Sequence, residues 1–191
     1  DSMSKRKVVL ICCGIGLLVA SYFGWQLTAR SAYESAQYQV VKSDGPIEIR
    51  AYPDLMLATT SMQIERQGDD GSFMRLFRYI SGANNQQQKV AMTTPVFMER
   101  EQGSGPGQMG FVIPRRVSVE GIPEPSVQAV KIQKRSAGTF AVIRFAGRIN
   151  QQTLKDREQE LRGWMINHGL NGEGAADAAG YDPPWTPGLL R

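Results

Sequence analysis

Hydrophobic and polar positions divide the chain into one continuous apolar run and a longer region of mixed patterns. Residues 8–27 read VVLICCGIGLLVASYFGWQL and carry no charged side chain. A helix of this length is about 30 Å long, which matches the hydrocarbon thickness of a bilayer. Basic residues at positions 5–7 precede the run, so the positive-inside rule places the N-terminus in the cytoplasm. The pattern predicts a single-pass membrane protein with a cytoplasmic stub and transmembrane anchor over 1–30, a linker over 31–37 and an exported, periplasmic or otherwise extracytoplasmic, domain over 38–191.

A cleaved signal peptide is the alternative interpretation of the same segment. The basic residues would form its n-region, and Val19-Ala20-Ser21 would be a weak cleavage site, giving a secreted product. The apolar run continues beyond that site, which favours an uncleaved anchor. A buried core helix is a third possibility, but a segment that is apolar on every side rarely lies on a small domain.

Beyond the linker, alternating and helical patterns predict an order of strand, strand, helix and strand that occurs twice. In the first half, strands are predicted over 38–42, 47–52 and 55–65, a helix up to about Ser81, and a strand over 89–98 that Pro95 interrupts. A strand over 109–114 and a proline-containing connection over 115–127 follow. In the second half, strands are predicted over 127–135 and 139–148, then a helix after Asn150, then a segment over 175–181 that leads to a proline-rich end.

These elements together predict an α+β fold. The fold class is a distorted antiparallel β-barrel or curved sheet that carries two helices, with the two halves related as pseudo-twofold duplicated units. The first helix has its apolar positions at helical spacing, at Phe73, Leu76, Phe77 and Ile80. Asn150 is a suitable cap for the second helix, and Gly169 follows its last turn.

Charge and cysteine usage narrow the function classes. The formal net charge is +4, but residues 1–30 hold four basic residues and one acidic residue, so the remaining chain is close to neutral. Without a basic stripe, nucleic-acid binding is not expected. Both cysteines, Cys12 and Cys13, lie in the apolar run, and the acidic residues are scattered. Because a thiolate or paired carboxylates are not available in the domain, we expect no enzymatic activity.

Four segments carry a family resemblance. YQVVKSDGPIEIRAYP, FRYISGANN, KVAMTTPVFM and GYDPPWTP occur in this order at 38–53, 77–85, 89–98 and 180–187. Together they resemble the SOUL haem-binding proteins, and the resemblance extends from Tyr38 to Arg191. It implies a distorted β-barrel flanked by two helices. It also implies that haem or a related porphyrin binds in a hydrophobic groove beside the first helix, with basic residues near the propionates.

The residues of the first helix fit such a ligand. A porphyrin is a flat apolar disc with two carboxylates, so it needs an aromatic or methionine-lined slot and a cation at the rim. Phe73 and Phe77 lie four apart on one face, and Met74 and Arg78 lie four apart on an adjacent face. The resemblance implies that Tyr181 and Trp185 form the opposite wall. The alternative is that the phenylalanines only pack the core and Arg78 is only solvated.

His168 is the one histidine of the chain. Its position in the last turn of the second helix favours an exposed residue near the helix C-terminus, and axial ligation of haem iron is the alternative. The apolar run and the family resemblance together imply a membrane-anchored haem or porphyrin carrier, buffer or sensor. A second hypothesis is a subunit of a membrane complex that uses the same fold without haem, with Gly14 and Gly16 allowing close contact with a membrane-protein partner.

Overall fold

The computed structural model describes residues 33–63, 70–100, 106–147 and 149–182, together with Gly14 and Gly16. The chain divides into two compact units, Asp1–Ala32 and Tyr33–Arg191. The anchor predicted over 8–27 lies outside the described residues except for the two glycines. Within the described ranges, no helix is both long enough and apolar enough to cross a membrane.

In its described ranges, the second unit contains ten strands and three helices. The strands are β1 (Glu34–Ser35), β2 (Gln39–Asp44), β3 (Ile47–Tyr52), β4 (Leu55–Met62), β5 (Thr93–Thr94), β6 (Val96–Glu99), β7 (Gly107–Val112), β8 (Lys131–Arg135), β9 (Gly138–Ile143) and β10 (Ala178–Gly180). The helices are α1 (Ser72–Ile80), α2 (Arg115–Glu120) and α3 (Gln151–Asn167).

The strands form three sheets. Five antiparallel strands run in the order β10-β6-β7-β4-β8, three in the order β2-β3-β9, and β1 pairs in parallel with β5. The α+β class is confirmed, but the predicted barrel is wrong because these sheets do not close within the described residues. The edges explain why. β2 is exposed along its length and has a bulge between Val40 and Lys42, and β8 carries exposed lysines, features that oppose further strand pairing.

The helix content also differs from the prediction, since three helices are present among the described residues instead of two. The additional helix α2 lies in the segment predicted as a connection. Pro114 precedes it, the side chain of Val117 is buried, and Gly121 ends it with a φ of 126°. A helix of less than two turns has too few apolar positions to show helical periodicity, which is why the sequence pattern did not reveal it.

Helix α3 begins where its sequence predicts. Asn150 accepts a hydrogen bond from the backbone N–H of Thr153 at 2.9 Å and so caps α3. The predicted strand over 89–98 is reduced to β5 and β6, which lie on either side of Pro95. Proline has no N–H for a sheet hydrogen bond, so the interruption follows from its chemistry.

Strands of the two predicted units pair with each other. β3 pairs with β9 and β4 pairs with β8, so the two strands that directly precede α1 pair with the two strands that precede α3. β6 and β10, which follow the helices of the two units, pair with each other. A twofold relation between the units requires this reciprocal pattern, although the symmetry itself stays a prediction.

Two hydrophobic cores lie on opposite faces of the five-stranded sheet, because alternate residues of a strand point to opposite sides. The α1 core includes Leu76 and Ile80 of the helix and receives Ala58, Met98 and Phe111 from the sheet. The second core receives Leu57, Phe97 and Val112, the sequence neighbours of those sheet residues. Anything that binds beside α1 is therefore separated from the second core by the sheet.

Candidate functional site

Helix α1 is held at its first turn by Asp70. One carboxylate oxygen accepts hydrogen bonds from the backbone N–H and the hydroxyl of Ser72, at 2.9 and 2.6 Å. The other accepts from the backbone N–H of Gln63 at 2.9 Å. Burial alone would raise the pKa of Asp70, but these hydrogen bonds outweigh burial and lower it. The helix start is thus tied to the end of β4.

Phe73 and Phe77 are half-buried and pack against the α1 core. Their rings are stacked, with centroids 6.0 Å apart and an angle of 17° between planes. Phe73 also contacts Phe111 of β7, at a centroid distance of 5.2 Å. The pair therefore anchors α1 on the sheet and still presents aromatic surface beside the helix. Phe73 and Phe77 thus pack against the core, and contact between their remaining surface and a ligand stays a prediction.

The two arginines of α1 have different surroundings. Arg75 donates hydrogen bonds to the Thr60 hydroxyl, the Asp70 carbonyl and the Ser61 carbonyl, at 3.0, 3.0 and 2.7 Å. Arg78 is exposed, and its side chain forms no hydrogen bond or ion pair within the described residues. Arg78 is therefore available for an anion, whereas Arg75 is occupied in joining α1 to β4.

Met74 lies one turn before Arg78 and is 47% exposed. In a helix, residues four apart are neighbours on the surface, so the thioether and the guanidinium share one face. Phe77 follows Met74 by three residues and borders the same surface. The structure thus places four of the six predicted binding residues, Phe73, Met74, Phe77 and Arg78, on one side of α1.

Tyr181 lies elsewhere. Its hydroxyl accepts a hydrogen bond from Arg50 of β3 at 3.0 Å, and the same guanidinium contacts the hydroxyl of Tyr52 and the ring of Tyr38. We call Tyr38, Arg50, Tyr52 and Tyr181 the arginine–tyrosine cluster. Tyr52 packs against the second core, so the structure does not bring Tyr181 to the phenylalanine pair. Trp185, the other predicted wall residue, lies outside the described residues.

Glu48 neutralises the arginine–tyrosine cluster. Arg50, which is 3% exposed, donates to Glu48 at 2.8 Å, and Arg144 approaches the other carboxylate oxygen at 3.2 Å. Burial by itself lowers the pKa of Arg50, but the hydrogen bonds to Tyr52 and Glu48 raise it overall. Burial raises the pKa of Tyr181, and its hydrogen bond with Tyr52 adds to this effect.

The arginine–tyrosine cluster was not predicted from the sequence, although one indication was present. Glu48, Arg50 and Tyr52 alternate along β3, so their side chains point to one face of the strand. A polar face opposite Ile47 and Ile49 indicates a second sheet or a polar partner on that side. The identity of the partner, Tyr181, does not follow from alternation because it lies 131 positions away.

His168 follows α3 and is exposed, as predicted. Its ring stacks on Trp164 with centroids 4.0 Å apart, and its Nδ1 lies 2.8 Å from the Trp164 carbonyl oxygen. Trp164 donates a hydrogen bond to Asp44 of β2. Leu154, near the start of α3, packs against the α1 core, and His168 follows it by fourteen residues, or roughly 20 Å along the helix. The structure does not group His168 with the α1 residues.

Comparison with known proteins decides the family. The family model described as SOUL heme-binding protein matches residues 33–191, most of the chain. The chain belongs to the SOUL haem-binding protein family. A search of curated proteins finds no match. The match covers α1, both cores and the arginine–tyrosine cluster, so it includes every predicted binding residue.

The residues beside α1 fit a haem of such a family. The stacked, half-buried rings of Phe73 and Phe77 offer an apolar surface, and Arg78 offers a cation for a propionate. Met74 offers a thioether on the same surface. Within the described residues, no group of three or more histidine, cysteine, aspartate or glutamate residues is arranged to hold a metal ion.

Proposed function

We propose that this protein binds haem or a related porphyrin on the surface of α1 formed by Phe73, Met74, Phe77 and Arg78. The observation that carries the proposal is the contrast between the two arginines of one helix in a haem-binding family. Arg75 is held by three hydrogen bonds, whereas Arg78 remains exposed beside Met74 and Phe77. The porphyrin face would lie against the aromatic and thioether groups, and Arg78 would pair with a propionate.

We further propose that the protein acts as a membrane-anchored carrier, buffer or sensor and not as an enzyme. The apolar run over 8–27 and the basic residues before it support a single-pass anchor with a cytoplasmic N-terminus and an exported domain. A haem held at an exposed helix surface suits transfer or sensing, since the ligand can reach and leave the site without opening the core. Fractionation of cells that produce the full chain, followed by protease protection, tests the orientation.

Titration of the full chain with hemin in mild detergent tests the binding function. We expect a saturable Soret shift near one equivalent, and competition between hemin and metal-free protoporphyrin. Arg78→Met should weaken binding, because the variant keeps the apolar stem and removes the charge. A folded protein that shows no saturable shift at micromolar hemin would refute the proposal.

The alternative function is that of a subunit in a membrane complex. It is favoured by the exposed aliphatic residues Ile166 and Leu170 at the end of α3, which are 72% and 38% exposed. They line a shallow cavity together with Met165 and Arg162. Purification in mild detergent separates the two functions, because a subunit should co-purify with a stoichiometric partner and a carrier should not.

A further inference from the structure

The methionines of the domain differ sharply in exposure. Seven methionines lie in the described residues, and six of them are buried or half-buried. Met62, Met98 and Met109 are 1–3% exposed within the α1 core, so their sulfur atoms are covered by neighbouring side chains. Met74 is the exception in the described part of the chain, with 47% exposure on the surface of α1. Packing accounts for the buried methionines, whereas Met74 leaves its thioether accessible at the surface of α1.

The position of Met74 relates it to the proposed porphyrin surface. Phe77 lies three residues later and Arg78 four residues later, so both are its surface neighbours. A porphyrin that rests against Phe77 and pairs with Arg78 therefore lies over the Met74 side chain. A thioether is a soft, uncharged donor that binds haem iron in other proteins and favours the reduced metal.

His168 and the tyrosines of the arginine–tyrosine cluster could also coordinate iron, but they are less well placed than Met74. His168 lies at the far end of α3, stacked on Trp164 and held against its carbonyl oxygen. Tyr52 of the arginine–tyrosine cluster packs against the second core, on the other side of the five-stranded sheet from α1, and Arg50 joins Tyr52 to Tyr181.

We propose that Met74 is the protein ligand to the iron of bound haem. This inference rests on the proposed porphyrin function and adds an iron-specific contact to it. The thioether would donate a lone pair to the iron, while Phe73 and Phe77 support the ring and Arg78 holds a propionate. Because the donor is soft, the protein should bind ferrous haem more tightly than ferric haem. It should bind metal-free protoporphyrin without any contribution from Met74.

The test compares two ligands and three variants of the full chain in mild detergent. Met74→Leu keeps the apolar volume and removes the sulfur, so affinity for dithionite-reduced haem should fall about tenfold. Affinity for metal-free protoporphyrin IX should stay within about twofold, since that ligand has no iron. Met74→His supplies a nitrogen donor at the same position, so its affinity for reduced haem should exceed that of Met74→Leu. Met56→Leu, at a half-buried site of the α1 core, is the matched control and should change neither ligand's binding.

The outcomes separate this inference from the function on which it rests. If Met74→Leu weakens both ligands equally or neither, Met74 is not an iron ligand, and the porphyrin site still stands. If His168→Ala removes the ferrous spectrum and Met74→Leu does not, the ligand is His168. If the unmodified protein binds neither porphyrin, the proposed function and the inference both fail. Circular dichroism of each variant shows whether it is folded.

Discussion

The guanidinium of Arg50 donates a hydrogen bond of 3.0 Å to the hydroxyl of Tyr181, and so joins β3 to the residue that follows β10. The same guanidinium is paired with Glu48 and lies 4.3 Å from the centre of the Tyr38 ring. Tyr181, which belongs to the fourth of the family-like segments, is therefore fixed to the fold by a buried cation. This relationship gives Tyr181 a structural role at a position where the sequence predicted a ligand contact.

Replacing Arg50 should destabilise the protein strongly. Arg50→Met leaves the Glu48 carboxylate buried beside only the more exposed Arg144. Removing one partner of a buried ion pair costs about 3 kcal/mol in the free energy of unfolding. Urea unfolding at neutral pH measures this loss. Arg116→Met, which removes an exposed pair with Glu120, is the control and should cost only a small fraction of that amount.

Tyr181→Phe separates anchoring from ligand binding. The variant keeps the aromatic ring but loses the hydrogen bond from Arg50, so we expect the free energy of unfolding to fall by about 1.5 kcal/mol. Hemin affinity should be unchanged, because Tyr181 lies with the second core and not beside α1. Equal stability combined with weaker hemin binding would show instead that Tyr181 contacts the ligand.

The two arginines of α1 form a matched pair of substitutions. Arg75→Met removes three hydrogen bonds to β4 and Asp70, so it should lower the free energy of unfolding by about 2 kcal/mol. Arg78→Met should leave stability unchanged and weaken porphyrin binding about fivefold, an effect that rising salt should reduce. Chemical unfolding and hemin titration of both variants measure the contrast. A loss of porphyrin affinity in Arg75→Met alone would contradict our assignment.

Asp70 should make the stability of α1 depend on pH. The folded state lowers the pKa of this carboxyl, so the unfolded state binds the proton more readily. The stabilisation is therefore fully present above the ordinary pKa of aspartate and is lost as pH falls through the lower, folded value. Asp70→Asn should reduce the free energy of unfolding by about 1 kcal/mol at pH 7. The difference between variant and wild type should shrink in acid, and a difference that is constant with pH would exclude this mechanism.

Local sequence patterns predicted much of this protein. The spacing of Leu76 and Ile80 predicted the buried face of α1, Asn150 predicted the start of α3, and Pro95 predicted the break between β5 and β6. These features depend on interactions between residues that are close in sequence, where propensity and capping are decisive. The four family segments also identified the SOUL haem-binding family, which the match over 33–191 confirms.

Tertiary structure decided which of these residues share a surface. The sequence does not distinguish Arg75 from Arg78, since both are arginines of the same helix. Only Arg75 donates a hydrogen bond to the hydroxyl of Thr60. Tyr181 joins Arg50 instead of the phenylalanine pair, because β10 pairs with β6 and the residue that follows β10 lies beside β3. The open sheets likewise depend on strand pairing across the whole domain. The sequence by itself determined the two longer helices, the Asn150 cap of α3 and the family, since these rest on short-range patterns. The assembly of the porphyrin surface depended on long-range sheet pairing, which local patterns do not specify.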